Sequence, residues 1–146
     1  MICYLDTSAL VKLYVREEGS DQVGDLINNS FVIATCKIAF AEARTAFARG
    51  YREGIITHND YRIIVNSFLN DWNRYLVLEI SDPLVLLAGD LAEKQRLRGF
   101  DAIHLAAALI FSQQVKKLVT VSCWDRRLWE AFQAYNFPLL PSAFEG

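Results

Sequence analysis

Cysteine, histidine, surplus charge and long apolar runs are all scarce in this chain of 146 residues. Cys3, Cys36 and Cys123 lie far apart in apolar surroundings, so buried thiols in a reducing compartment are expected, not a disulfide framework or a metal cluster. His58 and His104 supply no zinc-ligand spacing. No apolar run approaches the roughly 18 residues that a membrane span requires. The one apolar stretch near the start is cut by Asp6 and lacks a basic flank, so no signal peptide is expected and a cytoplasmic location is. The net charge of -2 argues against binding nucleic acid by bulk electrostatics, while leaving room for a basic rim around an acidic pocket. Internal repeats, linkers and low-complexity segments are also missing, and 53% hydrophobic residues are ample for a packed core. One domain over residues 1–146 is expected.

What is present alternates between two periodicities. Ile2–Leu5 is a short strand-like run that stops at Asp6; after Thr7 and Ser8, the spacing of Ala9, Leu10, Val11, Leu13 and Tyr14 fits one helix face. A helix opens at Ser20, and Phe31–Ala34 reads as a second strand. Lys37–Ala48 is alanine-rich and helical, with Gly50 and Gly54 marking its end. Thr57–Asp60 caps a helix to about Tyr75, Leu76–Ile80 is a third strand, and Asp82–Pro83 starts a helix that Gly99 closes. Asp101 begins the most apolar helix, through Phe111. Lys117–Val121 is a fourth strand, Asp125 opens a helix over Arg126–Ala134, and Phe137–Leu140 supplies a fifth strand. Strands alternating with helices imply an α/β fold, a mostly parallel sheet with helices on both faces.

Four acids stand out by position. Asp6 ends the first strand, Asp101 starts an apolar helix, and Asp125 follows the fourth strand at a helix entrance. Each could simply cap a helix. Glu42 differs: it sits inside a helix between Ala41 and Ala43, where small neighbours let a carboxylate point into a cleft, or it could pair with Arg49 or Arg52 in solvent. If the first strand is central and the fourth lies beside it, Asp6 and Asp125 meet at the sheet's carboxyl end, where open α/β sheets place their sites. Clustered carboxylates repel unless a hard cation lies among them; Mg²⁺ or Mn²⁺ matches an oxygen donor set with no competing His/Cys group. Such an ion would support phosphodiester or phosphomonoester chemistry.

Leu5-Asp-Thr-Ser-Ala-Leu-Val-Lys12, the helical Glu42, Asp101-Ala-Ile-His-Leu-Ala-Ala-Ala108 and Asp125-Arg-Arg-Leu128 together resemble the PIN domain, and within it the VapC-type toxin ribonucleases of toxin–antitoxin pairs. The resemblance runs over essentially the whole chain. It implies a three-layer α/β/α fold on a five-stranded parallel sheet, a Mg²⁺- or Mn²⁺-dependent endoribonuclease, an RNA substrate and a cognate antitoxin protein. The metal acids carry over onto Asp6, Glu42, Asp101 and Asp125, and Ser8 carries over as a supporting hydroxyl. The family's usual Ser or Thr two residues before the last acid is here Cys123, so Ser122 is the candidate for that role. His104, one turn after Asp101, is expected to orient the site. Lys12, Arg96, Arg98 and Arg126 are candidates for a phosphate-binding rim, with Arg44, Arg49 and Arg127 behind them.

Competing readings differ in what they require. A haloacid-dehalogenase-like phosphatase needs a second Asp two residues after the first, where this chain has Ser8. A PIN-fold nuclease of RNA processing shares the whole acid set, and a catalytically dead binding module should lack one of the acids. A homodimer is expected as well, with an antitoxin segment beside the site. Its motive is the apolar stripe Tyr61, Ile64, Val65, Phe68, Leu69 and Trp72, which with Phe40 and Phe47 exceeds what one small domain need bury, although the same stripe could equally close an intrachain helix pair.

Overall fold

Five strands, β1 (Ile2–Leu5), β2 (Val32–Cys36), β3 (Leu76–Leu78), β4 (Val119–Ser122) and β5 (Leu139–Leu140), form one sheet in the order β3-β2-β1-β4-β5. Every pairing is parallel. The computed structural model describes residues 1–144, and its helices are α1 (Thr7–Val11), α2 (Ser20–Asn28), α3 (Ile38–Arg52), α4 (His58–Trp72), α5 (Asp82–Gln95), α6 (Gly99–Val115) and α7 (Arg126–Ala134). Among the described residues no helix is long and apolar enough to cross a membrane.

The two-residue period of a strand explains the layers. Ile2 and Tyr4 of β1 point into a core built with α5, α6 and α7, while Cys3 and Leu5 point into a second core with α1 to α4. All four are buried, as expected of a central parallel strand covered on both sides. On one face, Ala102, Ala106, Ala107 and Ala108 of α6 are fully buried, and such small side chains let the helix lie close to the sheet. The other face is aromatic: Phe68 of α4 meets Phe40 and Phe47 of α3 and Tyr14 at centroid distances of 5.3–5.5 Å.

That aromatic core corrects the motive for the dimer. Tyr61, Ile64, Phe68 and Trp72 pack within the chain against α3, and of the stripe Leu69 alone is exposed, at 40%. The stripe closes an intrachain helix pair.

Other boundaries move for local reasons. After α1 the chain tightens through i→i−3 hydrogen bonds from Lys12, Leu13 and Tyr14, so the helical face continues in turns. Gly50 does not end α3; it leaves room for Ile56, whose Cδ1 lies 2.6 Å from where a Cβ would stand. Gly54, in the left-handed region at φ 76°, makes the actual exit. Nor does Gly99 close α5. Arg96 takes the left-handed cap conformation, and Gly99 is instead the first residue of α6.

Candidate active site

Parallel strands all end on one side, and β1 and β4 are neighbours with Leu5 opposite Ser122. The residues after them therefore enter a common space, and the Asp6 N–H is tied to the Ser122 carbonyl at 3.2 Å. Asp6 is both cap and candidate ligand. Its Oδ1 accepts from the Ala9 N–H at 2.9 Å, and Ser8 Oγ donates to the same carboxylate at 2.7 and 2.9 Å. Ser8 also accepts from the Trp124 N–H at 2.8 Å, so one hydroxyl joins the β1 and β4 exits. Burial pushes the Asp6 carboxyl above its ordinary value, and the bonds from Ser8 and Ala9 only partly oppose that shift.

Asp125 is likewise an N-cap, accepting from the Leu128 N–H at 3.2 Å. Asp101 is not a cap at all. It is the third residue of α6, whose N-cap is Arg98 without a side-chain bond, so side-chain capping does not account for its position. Its carboxyl is raised by burial and by the nearby Asp125 charge, with Arg98 opposing. The Arg98 guanidinium lies between the two acids, 3.2 Å from Asp101 and 3.7 Å from Asp125.

Glu42 turns inward rather than to Arg49 or Arg52. Its Oε1 accepts from Thr7 Oγ1 at 2.5 Å and lies 2.9 Å from His104 Nε2. Thr7 Oγ1 is itself 3.0 Å from that nitrogen, and Tyr4 Oη is 2.7 Å from His104 Nδ1. Burial alone would raise Glu42, but the bonds from His104 and Thr7 and the Arg98 charge hold its carboxyl below the ordinary value. Glu42, Arg98, Gly99, Phe100 and Asp101 line a cavity of about 270 Å³.

Ser122 and the rim residues fare differently. Ser122 Oγ donates to the Leu140 carbonyl at 3.0 Å and accepts from Trp124 Nε1–H at 3.2 Å, so it closes the β4–β5 edge instead of reaching an acid. The neighbouring Cys123 thiol is the group beside Asp6, and burial pushes it far up, so it stays a protonated thiol. Lys12 is not free on a rim: it pairs with Glu17 at 3.0 Å and lies 4.8 Å from the Trp124 ring centroid. That ring rests so close to Gly19 that a Cβ there would meet it at 2.7 Å. Arg96 and Arg98 are exposed, and exposed Arg126 reaches the Phe144 carbonyl and ring.

Two functional candidates escaped the sequence. Thr7 stands inside Asp6-Thr-Ser8, where it read as a turn residue. Phe100, 58% exposed beside Asp101, carried only the signal of an aromatic next to an acid.

The acids form a hard oxygen donor set with no thiolate or free imidazole among them. No three Asp, Glu, His or Cys side chains among the described residues close on one point. The guanidinium spanning Asp101 and Asp125 stands where a cation balances their charge, and in that respect the donors fit a divalent ion. Removing that guanidinium has a calculable sign. A positive neighbour favours the carboxylate, so in metal-free Arg98→Gln the Asp101 carboxyl should titrate at higher pH than in the parent. Because its folded-state value is already raised, its contribution to stability falls as pH climbs from the unfolded to the folded value, and the substitution widens that window. Carboxyl NMR in chelator measures it; an unmoved or lowered titration would refute the coupling.

Comparison with known proteins adds four findings. The family model described as PIN domain matches residues 3–120. Ribonuclease VapC45 of Mycobacterium tuberculosis is 29% identical over 144 residues, covering 99% of this chain and 98% of that protein. Among solved structures, a chain of FitAB bound to an IR36 DNA fragment aligns with TM-score 0.67 and 18% identity, over 100% of this chain and 99% of that one. A chain of a toxin–antitoxin complex from Klebsiella pneumoniae aligns with TM-score 0.55 and 16% identity, over 81% and 83%. At those identities the two structures speak for the fold.

Proposed function

This chain belongs to the PIN domain family, and we propose that it is an endoribonuclease dependent on Mg²⁺ or Mn²⁺, acting as the toxin of a toxin–antitoxin pair. One observation carries the catalytic part: Asp101, free of any capping duty, is drawn beside Asp125 with a guanidinium between them. The ribonuclease name of a relative matching nearly end to end supports RNA as the substrate, and the toxin–antitoxin complex among the structural neighbours supports the partner.

In this reading Asp6, Glu42, Asp101 and Asp125 hold the ion. When bound, it would neutralise phosphoryl charge and lower the pKa of a water. The chain's own residues do the rest. Ser8 and the Ala9 N–H fix the Asp6 carboxylate. Arg98, with the exposed Arg96 and Arg126 as further cations, would meet phosphate oxygens, and the exposed Phe100 ring would offer a base a stacking surface worth about 1–3 kcal/mol. The second copy of a homodimer would be received by the exposed Val85 and Leu86 of α5 and Leu76 and Ile80 near the β3 edge. The protein would work in the cytoplasm, where its RNA is.

The experiment is cleavage of single-stranded RNA and of DNA of the same sequence, with a cognate antitoxin added in a second arm. RNA should be cut, DNA spared, and the antitoxin should suppress cutting. Equal cutting of both, or of neither, would overturn the assignment.

A further inference from the structure

Glu42, Thr7, His104 and Tyr4 form a closed chain of contacts that helix capping and core packing do not require. His104 is 1% exposed and Tyr4 fully buried, so every proton they carry needs a partner in the protein. Counting those protons assigns the histidine. Thr7 Oγ1, Glu42 Oε1 and His104 Nε2 lie mutually within 3.0 Å, and the hydroxyl brings only one proton to the three. That proton goes to the carboxylate. Nε2 must then supply a second, or its lone pair would face the Glu42 and Thr7 oxygens. The Tyr4 hydroxyl has no other acceptor among the described residues, so it donates to Nδ1. The neutral Nε2–H form satisfies all four groups.

All of these bonds fall on Oε1. Glu42 Oε2 has no hydrogen-bond partner among the described residues, and Glu42 lines the cavity shared with Asp101 and Arg98. The neighbouring Ala39 and Ala43 offer nothing to hold a carboxylate. We propose that His104, held between Tyr4 and Glu42, is a positioning residue that locks one oxygen of Glu42 and thereby presents the other to the divalent ion of the acidic site. The proposal rests on the metal-dependent reading above and adds residues that no similarity assigns.

Two measurements test it separately from that reading. Nitrogen-15 NMR of the metal-free protein should show His104 in the Nε2–H form with Nδ1 shifted by the hydrogen bond it accepts, and Tyr4→Phe, which removes one oxygen and keeps the ring, should abolish that Nδ1 shift. An Nδ1–H form in the parent overturns the relay whatever the enzyme does. Second, Mn²⁺ alone is titrated into the parent and into His104→Asn, His104→Gln, Tyr4→Phe and Thr7→Val. Asn matches Nδ1 and cannot reach Glu42, so its Mn²⁺ affinity should fall about 10–100-fold, the usual effect of losing a group that orients a ligand. Gln places an amide N–H near Nε2 and should recover most of the loss, which a merely structural role would not do. Tyr4→Phe and Thr7→Val should fall between, with kcat lowered more than KM is raised. Equal Mn²⁺ affinity in the parent, Tyr4→Phe and His104→Asn refutes the positioning role while leaving the nuclease standing. A parent with the Nε2–H form that neither binds Mn²⁺ nor cuts RNA refutes the metal-dependent reading, and the positioning role with it.

Discussion

Asp101→Asn should lose RNA cleavage by about 10²–10³-fold or more, the range seen when a group stabilising transition-state charge is removed, with the fold intact. The substitution keeps size and shape and removes one formal charge. Asp101 lies in the first turn of α6 and caps nothing, so the substitution removes no side-chain cap. A carboxylate near a helix N-terminus is favourable by roughly 0.3–1 kcal/mol, but here burial and the Asp125 charge work against it and raise the carboxyl. The metal-free melting temperature should therefore stay level or rise. Arg98, relieved of one partner, keeps Asp125. Wild-type cleavage by Asp101→Asn would remove the residue from the chemistry.

Asp6 separates cap from ligand by a pair of substitutions. Asn caps as well as Asp, whereas Ala loses about 0.5–2 kcal/mol. Burial raises the Asp6 carboxyl, so in the pH window between its unfolded and folded values the native state holds the extra proton. Stability then falls as pH rises through that window, and at neutral pH the buried charge is a burden. Asp6→Asn lifts it, so in chelator this variant should melt at or above the parent and Asp6→Ala below Asp6→Asn. Adding Mn²⁺ should put the parent above both variants. A ligand at 100 times its dissociation constant stabilises by about 2.7 kcal/mol, and both variants should forfeit most of that gain along with cleavage. Calorimetry with and without Mn²⁺ decides; an Asn variant with full metal stabilisation would reduce Asp6 to a cap.

The sheet was legible because its strands are short, β-branched and separated by helices, and because the Asp6 and Asp125 signals sit at strand exits, which a parallel sheet gathers on one side. The helix starts at Asp6 and Asp125 were legible as caps for the same local reason. Asp101 was placed only approximately: Gly99 reads as a stop, yet Arg96 takes the left-handed turn and frees Gly99 to begin α6. The α4 stripe reads equally well as a partner surface or a core, since periodicity gives a face and not its neighbour; Phe40, Phe47 and Tyr14 cover most of it. The support of Glu42 lay beyond local reading. Tyr4 and His104 are 100 residues apart, and they meet only because β1 is central and α6 packs against the sheet. Strand parity separates Ser122 from Cys123, which sends the hydroxyl to Leu140 and the thiol toward Asp6.

The most direct test of the central claim is the cleavage of one single-stranded RNA by the purified wild-type protein in EDTA, and then in millimolar Mg²⁺ or Mn²⁺. Asp101 and Asp125, on either side of a cationic position, predict no cutting in chelator and recovery on adding either ion, with Mn²⁺ raising the melting temperature in parallel. Cutting that persists undiminished in EDTA would contradict a metal-dependent ribonuclease at these acids.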